Sequence, residues 1–270
     1  MGERASMTLT EWQAKELLCE IGRRVWIRNF VAANEGNFSF RIDEDRVLST
    51  PTLQSKGFLK PEDIVTLDMK GRQTGGEKKP TSEVLMHLEI YRQRPDIRAV
   101  IHAHPPCATA FAVVQTPIPK CILPEVEIFV GEIPIVEYAT PGTPELAESV
   151  KPFLKDYCAF LLANHGALTI GKDIEDAYYK MEIVEEYCRV LLYARQLDGY
   201  TQLGEGKLAE LLKLKEKLGL TDRRLKPGAD LSCAIPSPAP GIRQTCPSLD
   251  RTVIEKIVRQ VLEEKGLYKT

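Results

Sequence analysis

The chain has 270 residues, with 36 basic and 38 acidic side chains, a formal net charge of -2, 43 % hydrophobic and 27 % charged residues, the balance of an ordinary globular protein. There is no basic surplus to match a phosphate backbone, which argues against nucleic-acid binding, and no apolar run of about 18 residues to span a membrane. The first residues are charged and hold no apolar signal core, and the seven cysteines, odd in number, widely spaced and without a CxxC pair, fit reduced cytoplasmic thiols rather than a disulfide framework.

Residues 8–33 read as a helix. Thr8 or Thr10 can cap it, and Leu17, Leu18, Ile21, Val25 and Phe30 recur near the helical period. Asn34-Glu35-Gly36-Asn37 is a turn signal. Strands are predicted over 38–42, 46–50 and 64–68, the first two joined as a hairpin through Asp43-Glu44-Asp45. Gly71 and Gly75-Gly76 bound a loop. A helix is predicted from Thr81, with Val84, Leu85, Leu88 and Tyr91 on one face, and Arg94-Pro95-Asp96 ends it. Residues 99–104 form an apolar strand stopped by Pro105-Pro106, and a short helix follows over 108–114. Strands are expected over 127–130 and 133–137, a helix over 144–154, strand segments over 159–163 and 167–170, and a long helix from Asp173 or Ile174 to about Leu197. Most strands follow one another without a helix between them. That favours an α+β or layered α/β/α core with a largely antiparallel sheet over a doubly wound one.

The composition changes after about residue 220. From Pro227 to Pro247, five of 21 residues are proline, a poor composition for helix or sheet that reads as an extended linker. Beyond it Ser248-Leu249-Asp250 can cap a helix. Val253, Ile254, Ile257, Val258, Val261 and Leu262 share one face of it, with charged residues around the rest. A short amphipathic helix on a tether cannot bury such a stripe alone and needs a surface to dock on.

The chain has only four histidines, His87, His102, His104 and His165. Residues i and i+2 of a strand face the same way, so His102 and His104 converge on one point. That suits two ligands of a zinc ion; the plain alternative is a pair of solvent-facing histidines at a strand end. His165, in Asn164-His165-Gly166 after an apolar strand, can supply a third nitrogen and leave a fourth position open. Pro80-Thr81-Ser82-Glu83 opens a helix, where two hydroxyls and free N–H groups make either an anion cradle or an ordinary cap. His87 reads as structural, and Cys107 as a buried thiol rather than an extra ligand.

The motifs GNFSFR, LSTPT, PTSE, HAHP and ANHG stand in this order over roughly residues 10–200, with EYATPGTPELAESV between the last two. Together they resemble the class II aldolase/adducin family, nearest its branch that acts on L-fuculose-1-phosphate. The resemblance implies an α/β/α sandwich around a nine-stranded, mainly antiparallel sheet, assembled as a homotetramer. It implies Zn²⁺, one per subunit, on His102, His104 and His165, a catalytic Glu83, and a substrate phosphate held by Asn37, Thr52, Thr81 and Ser82. The implied reaction is cleavage of L-fuculose-1-phosphate or L-rhamnulose-1-phosphate to dihydroxyacetone phosphate and L-lactaldehyde.

Two positions depart from the family. Leu53 stands where its aldolases often carry glycine, with Ser55-Lys56-Gly57 following as a compensation. The stretch 123–130, LPEVEIFV, lacks the tyrosine acid that the fuculose-phosphate enzymes take from a neighbouring subunit, which leaves Glu125 and Tyr200 as weak substitutes. Alternatives on the same fold are a sugar-phosphate 4-epimerase or a dehydratase, and, in another class, a non-catalytic adducin-like binding module. The proline-rich tether and TVIEKIVRQVLEE resemble the encapsulation peptides of bacterial microcompartment enzymes, with shell proteins as partners; the other reading is a docking helix at a subunit interface. The expected organisation is a catalytic domain over 1–220, a linker over 221–248 and a C-terminal helix over 249–270, in a cytoplasmic protein housed in a microcompartment or free.

Overall fold

Thr10 opens helix α1 (Glu11–Ile27) through a capping box with Gln13, and so satisfies N–H groups that a helix start leaves free. The computed structural model that shows this describes residues 9–234. Most of the proline-rich stretch and the whole helix expected over 249–270 lie outside the described residues. Ala14, Leu18, Ile21 and Val25 of α1 are buried, the helical period of the sequence turned onto a sheet. The helix stops at Ile27, short of the predicted residue 33, and Asn29 takes a positive φ of 58°.

The strands are β1 (Asn37–Arg41), β2 (Arg46–Ser49), β3 (Val65–Asp68), β4 (Gln73–Gly75), β5 (Ala99–Ala103), β6 (Ile135–Val136), β7 (Ala159–Leu162) and β8 (Gly166–Gly171). They form one sheet in the order β4-β3-β2-β1-β5-β8-β7-β6. Neighbours are antiparallel except β6 and β7. The sheet is thus mainly antiparallel, with eight strands among the described residues where the family resemblance implies nine. Strand β4 takes up the stretch read as a glycine-bounded loop.

The remaining helices are α2 (Val84–Gln93), α3 (Pro106–Val114), α4 (Pro124–Phe129), α5 (Pro144–Leu154), α6 (Ile174–Gln196) and α7 (Glu205–Lys217). Alternation along the strands sorts the core into two layers. Phe38, Phe40, Ile101 and Leu161 join Leu18, Phe111 and Met181 in one cluster. Val100, Phe160, Leu168 and Ile170 join Leu88, Tyr91 and Val150 in the other. Helices α1, α3 and α6 therefore cover one face and α2 and α5 the other, an α/β/α sandwich. No helix among the described residues is long and apolar enough to cross a membrane.

Residues 127–130, predicted as a strand, instead close helix α4. Pro124 stands in its first turn, where a missing N–H costs nothing. What holds α4 lies far along the chain. Glu127 is buried and pairs with Arg224 at 2.6 Å. Arg224 also pairs with Asp222 at 2.9 Å, and Asp222 with Lys215 of α7 at 2.8 Å. Beside them Cys121 is joined to Cys233 across 112 residues. This corrects the expectation that every thiol is reduced; Cys19, Cys107, Cys158 and Cys188 are free.

Removing one member of a buried ion network leaves its partners uncompensated, which costs about 3–5 kcal/mol. Arg224→Met should therefore lower stability by that amount in urea unfolding, with α4 losing hydrogen-exchange protection first. A loss under about 1 kcal/mol, the worth of a surface pair, would mean that water reaches these charges.

Candidate metal and substrate site

The register of β1, β5 and β8 brings three loops to one end of the sheet. Asn37 at the start of β1 lies opposite His102 near the end of β5, and Ala103 opposite Ala167 at the start of β8. His104 lies just past β5, where its N–H donates to Phe30 O at 2.8 Å. His165 sits in the tight turn between β7 and β8. Asn164 there adopts φ 55°, and the His165 N–H closes onto Leu162 O at 3.0 Å.

The three imidazoles meet at their Nε2 atoms. His102 Nε2 lies 3.0 Å from His104 Nε2 and 3.2 Å from His165 Nε2. Three nitrogens bound tetrahedrally at about 2.0–2.1 Å from one zinc ion stand roughly 3.3 Å apart, so the arrangement fits a divalent ion. His102 Nδ1–H donates to Ala167 O at 3.0 Å, which leaves its Nε2 lone pair facing the centre. Burial holds His102 well below the usual histidine range and His165 at about 3, so both present neutral, metal-ready nitrogens. Glu35 Oε2 lies 3.5 Å from His104 Nδ1, placed to orient the third ring. No sequence signal marks Glu35 for this; only the fold brings its turn there.

Gly166 is what lets the hairpin approach. A Cβ at that position would stand 2.6 Å from Ala103 O and 2.6 Å from His104 Cδ2. The glycine of Asn164-His165-Gly166 is thus a steric requirement of the histidine cluster.

Glu83 precedes α2, which begins at Val84 rather than at the predicted Thr81. Its side chain is buried. Oε2 has no hydrogen-bond partner among the described residues and lies 3.7 Å from His102 Nε2, while Oε1 lies 3.8 Å from His165 Nε2. Burial raises its pKa; His165, Asn37, His104 and Lys56 draw it back. His87, one turn along α2, is fully buried, and burial holds it neutral with a pKa of about 3. Its Nε2–H donates to Asn37 Oδ1 at 2.6 Å, and its Nδ1 accepts from Ser39 Oγ at 2.6 Å. Ser39 Oγ in turn meets the Tyr91 hydroxyl at 2.7 Å. This buried chain fixes the carboxamide of Asn37 with its N–H side towards Glu83.

A cavity of about 190 Å³ adjoins the histidines. Asn37, Thr52, Thr81 and Ser82 all line it, with Glu83 and His104. Leu53, at its mouth, has φ 54° and is 74 % exposed. The loop keeps the left-handed backbone that glycine favours, at a cost to leucine of about 1–2 kcal/mol. Glu125 and Tyr200 do not line the cavity. Cys107 lies outside the histidine group; its N–H caps onto Glu185, and burial with that carboxylate pushes its thiol up to about 11, so it is no thiolate ligand.

Residues 16–192 match the family model described as Class II Aldolase and Adducin N-terminal domain. An L-fuculose phosphate aldolase of Methanococcus maripaludis is 40% identical over 184 residues, covering 68% of this chain and 96% of that protein. A 3-oxo-tetronate 4-phosphate decarboxylase of Haemophilus influenzae is 35% identical over 186 residues, covering 67% and 88%. A solved L-fuculose 1-phosphate aldolase superposes with a TM-score of 0.71 at 29% identity, covering 80% of this chain and 100% of its own.

Gly166→Ala should force the β7–β8 hairpin off the histidine rings. Zinc affinity, measured against a competing chelator, should fall about 10- to 100-fold, the usual effect of disturbing a ligand's support. Unchanged affinity would mean that the hairpin yields without moving His104 or His165.

Proposed function

The chain belongs to the class II aldolase and adducin family and is a metal-dependent carbon–carbon lyase, and we propose that it is a zinc enzyme. In this reading it cleaves L-fuculose-1-phosphate or L-rhamnulose-1-phosphate to dihydroxyacetone phosphate and L-lactaldehyde. The observation that carries the reading is three imidazoles converging beside a buried carboxylate with one oxygen free. An all-nitrogen set with an open position suits zinc.

Aldol cleavage breaks a carbon–carbon bond and leaves its electron pair beside a carbonyl. Zinc on His102, His104 and His165 supplies Lewis-acid stabilisation of that charge. Glu83 manages the proton at the carbon left behind: protonated, it delivers one after cleavage, and ionised, it removes one in the direction of synthesis. Burial, which raises its pKa, favours the protonated form that the first task needs. Asn37, Thr52, Thr81 and Ser82 receive the phosphate beside the start of α2, where the helix end favours anions. Binding there positions the reacting carbons. The group that takes the hydroxyl proton lies outside this set, which is consistent with a neighbouring subunit of a homotetramer supplying it.

A second reading is favoured by the decarboxylase relative. Loss of carbon dioxide from a 3-oxo acid phosphate leaves the same kind of electron pair beside a carbonyl, so the same residues could serve it. The C-terminal segment, on its sequence alone, is read as a peptide that draws the enzyme to microcompartment shell proteins.

Assays of L-fuculose-1-phosphate, L-rhamnulose-1-phosphate, ribulose-5-phosphate and 3-oxo-tetronate 4-phosphate side by side should give lactaldehyde from one of the first two. Chelation should abolish that activity and zinc restore it. Carbon dioxide from the fourth compound alone would replace the aldolase by the decarboxylase. Glu83→Gln should lower turnover on the order of 10²–10⁴-fold with the fold intact; near-normal turnover would remove Glu83 from the proton step. Separately, residues 248–270 fused to a fluorescent protein should enter shells when shell proteins are co-expressed. Glu at positions 257 and 261, in place of Ile257 and Val261, should leave the fusion diffuse, since a carboxylate buried in a docked stripe has no partner. A parent fusion that stays diffuse would refute the shell reading.

A further inference from the structure

Lys56 is among the largest fully buried side chains of the protein, at 1 % exposure. Its position is built from two sides. A Cβ on Gly22 of α1 would stand 2.4 Å from Lys56 O, and a Cβ on Gly57 would stand 2.5 Å from the Trp26 ring. Two glycines thus let the 55–58 loop press onto α1. Lys56 Nζ then donates to Asn34 O at 2.9 Å and to Gln54 O at 2.6 Å. It makes no ion pair among the described residues, and it lines the cavity with Asn37, Thr52 and Ser82.

An ammonium buried without a counterion is costly. Burial pulls Lys56 down to about 8, while Glu83 and Glu35 hold it up, so it stays mostly charged at neutral pH. An ammonium has three N–H donors, and the two carbonyls occupy two. One donor and the positive charge remain beside a cavity lined by the Asn37 amide and the hydroxyls of Thr52, Thr81 and Ser82, with the carboxylates of Glu35 and Glu83 on its histidine side.

We propose that Lys56 is the cation that receives the substrate's phosphate monoester, completing the neutral donors of Asn37, Thr52, Thr81 and Ser82 and setting the preference for phosphorylated over free sugars. The proposal rests on the reading that this cavity takes the phosphate. Its third N–H meets a phosphate oxygen, and its charge offsets the dianion. The alternative is that Lys56 only staples the 34 and 54 loops together, which would alter stability and leave phosphate recognition alone.

The test uses inorganic phosphate with metal-stripped, full-length protein, so that no turnover is needed and no metal competes for the anion. Phosphate should raise the melting temperature of the wild type relative to chloride at equal ionic strength. Calorimetric titration should show phosphate binding weakened about 10- to 100-fold in Lys56→Met, the worth of a charged hydrogen bond, and within about threefold of wild type in Lys56→Arg. If Lys56→Met does not fold, Lys56→Gln takes its place, since it donates to carbonyls without a charge. With metal restored and an accepted phosphorylated substrate, KM should rise more than kcat falls. A wild type that gains nothing from phosphate over chloride overturns the proposal. So does a folded neutral variant that binds phosphate as the wild type does. In that second case intact cleavage leaves the aldolase reading standing; conversely, phosphate binding that depends on Lys56 without cleavage of any sugar phosphate refutes that reading and spares Lys56.

Discussion

Three imidazoles brought together at their Nε2 atoms, with His102 Nε2 3.0 Å from that of His104 and 3.2 Å from that of His165, are the constraint around which this site is arranged. Burial keeps the rings of His102 and His165 neutral. The segments that carry the rings are each held by hydrogen bonds. The His102 ring is tied to Ala167 O in the middle of the sheet, the backbone N–H of His104 is tied to Phe30 O, and that of His165 to Leu162 O in a closed hairpin turn. Close packing between Gly166 and the rings leaves little slack for any of them. The same end of the sheet carries Glu83 and Asn37, so the histidine cluster and the buried carboxylate are built at one place in the fold.

Much of this was legible in the sequence because it rests on short-range rules. The i, i+2 relation of His102 and His104 needs only a strand, and the glycine after His165 announces a tight turn. The motif order placed Thr81, Ser82 and Glu83 at a helix start, off by three residues because the 81–83 segment turns before the helix proper begins. What was not legible depends on partners far along the chain. The run Glu127–Val130 holds three β-prone apolar residues in a row and reads as a strand, yet the buried charge of Glu127 is satisfied by Arg224, 97 residues away, and the segment closes a helix. The pairing of Cys121 with Cys233 is beyond any spacing rule. Helix α7 buries only Leu208, Leu212 and Lys215, a stripe too narrow to stand out from a charged loop. The burial of Lys56 was not legible because nothing local shows that Gly22 opens a place for its backbone against α1.

The arrangement also explains how close relatives can carry different reactions. Aldol cleavage and decarboxylation both leave an electron pair beside a carbonyl, and they differ in the fragment that departs. In the proposed reading the histidines and Glu83 act on the fragment that stays. The residues that grip the remote anion, and those that meet the leaving fragment, are then free to vary. Leu53 is exposed at the cavity mouth in a conformation better suited to glycine, at a position that the proposed histidine ligands and Glu83 do not constrain.

The order of strands in the sheet has a consequence for biosynthesis. β5, which bears His102 and leads into His104, pairs with β1 behind it and with β8 ahead of it. His165 reaches its place only when the β7–β8 hairpin has closed against β5, an encounter across 63 residues of chain. A nascent chain still short of Gly171 therefore presents at most two imidazoles on an unfinished sheet edge. Long-range pairing of this kind is slow compared with helix formation, so the ion enters a nearly finished fold rather than nucleating one. On the proposed zinc reading, a chain made where zinc is scarce would then fold empty and be loaded later.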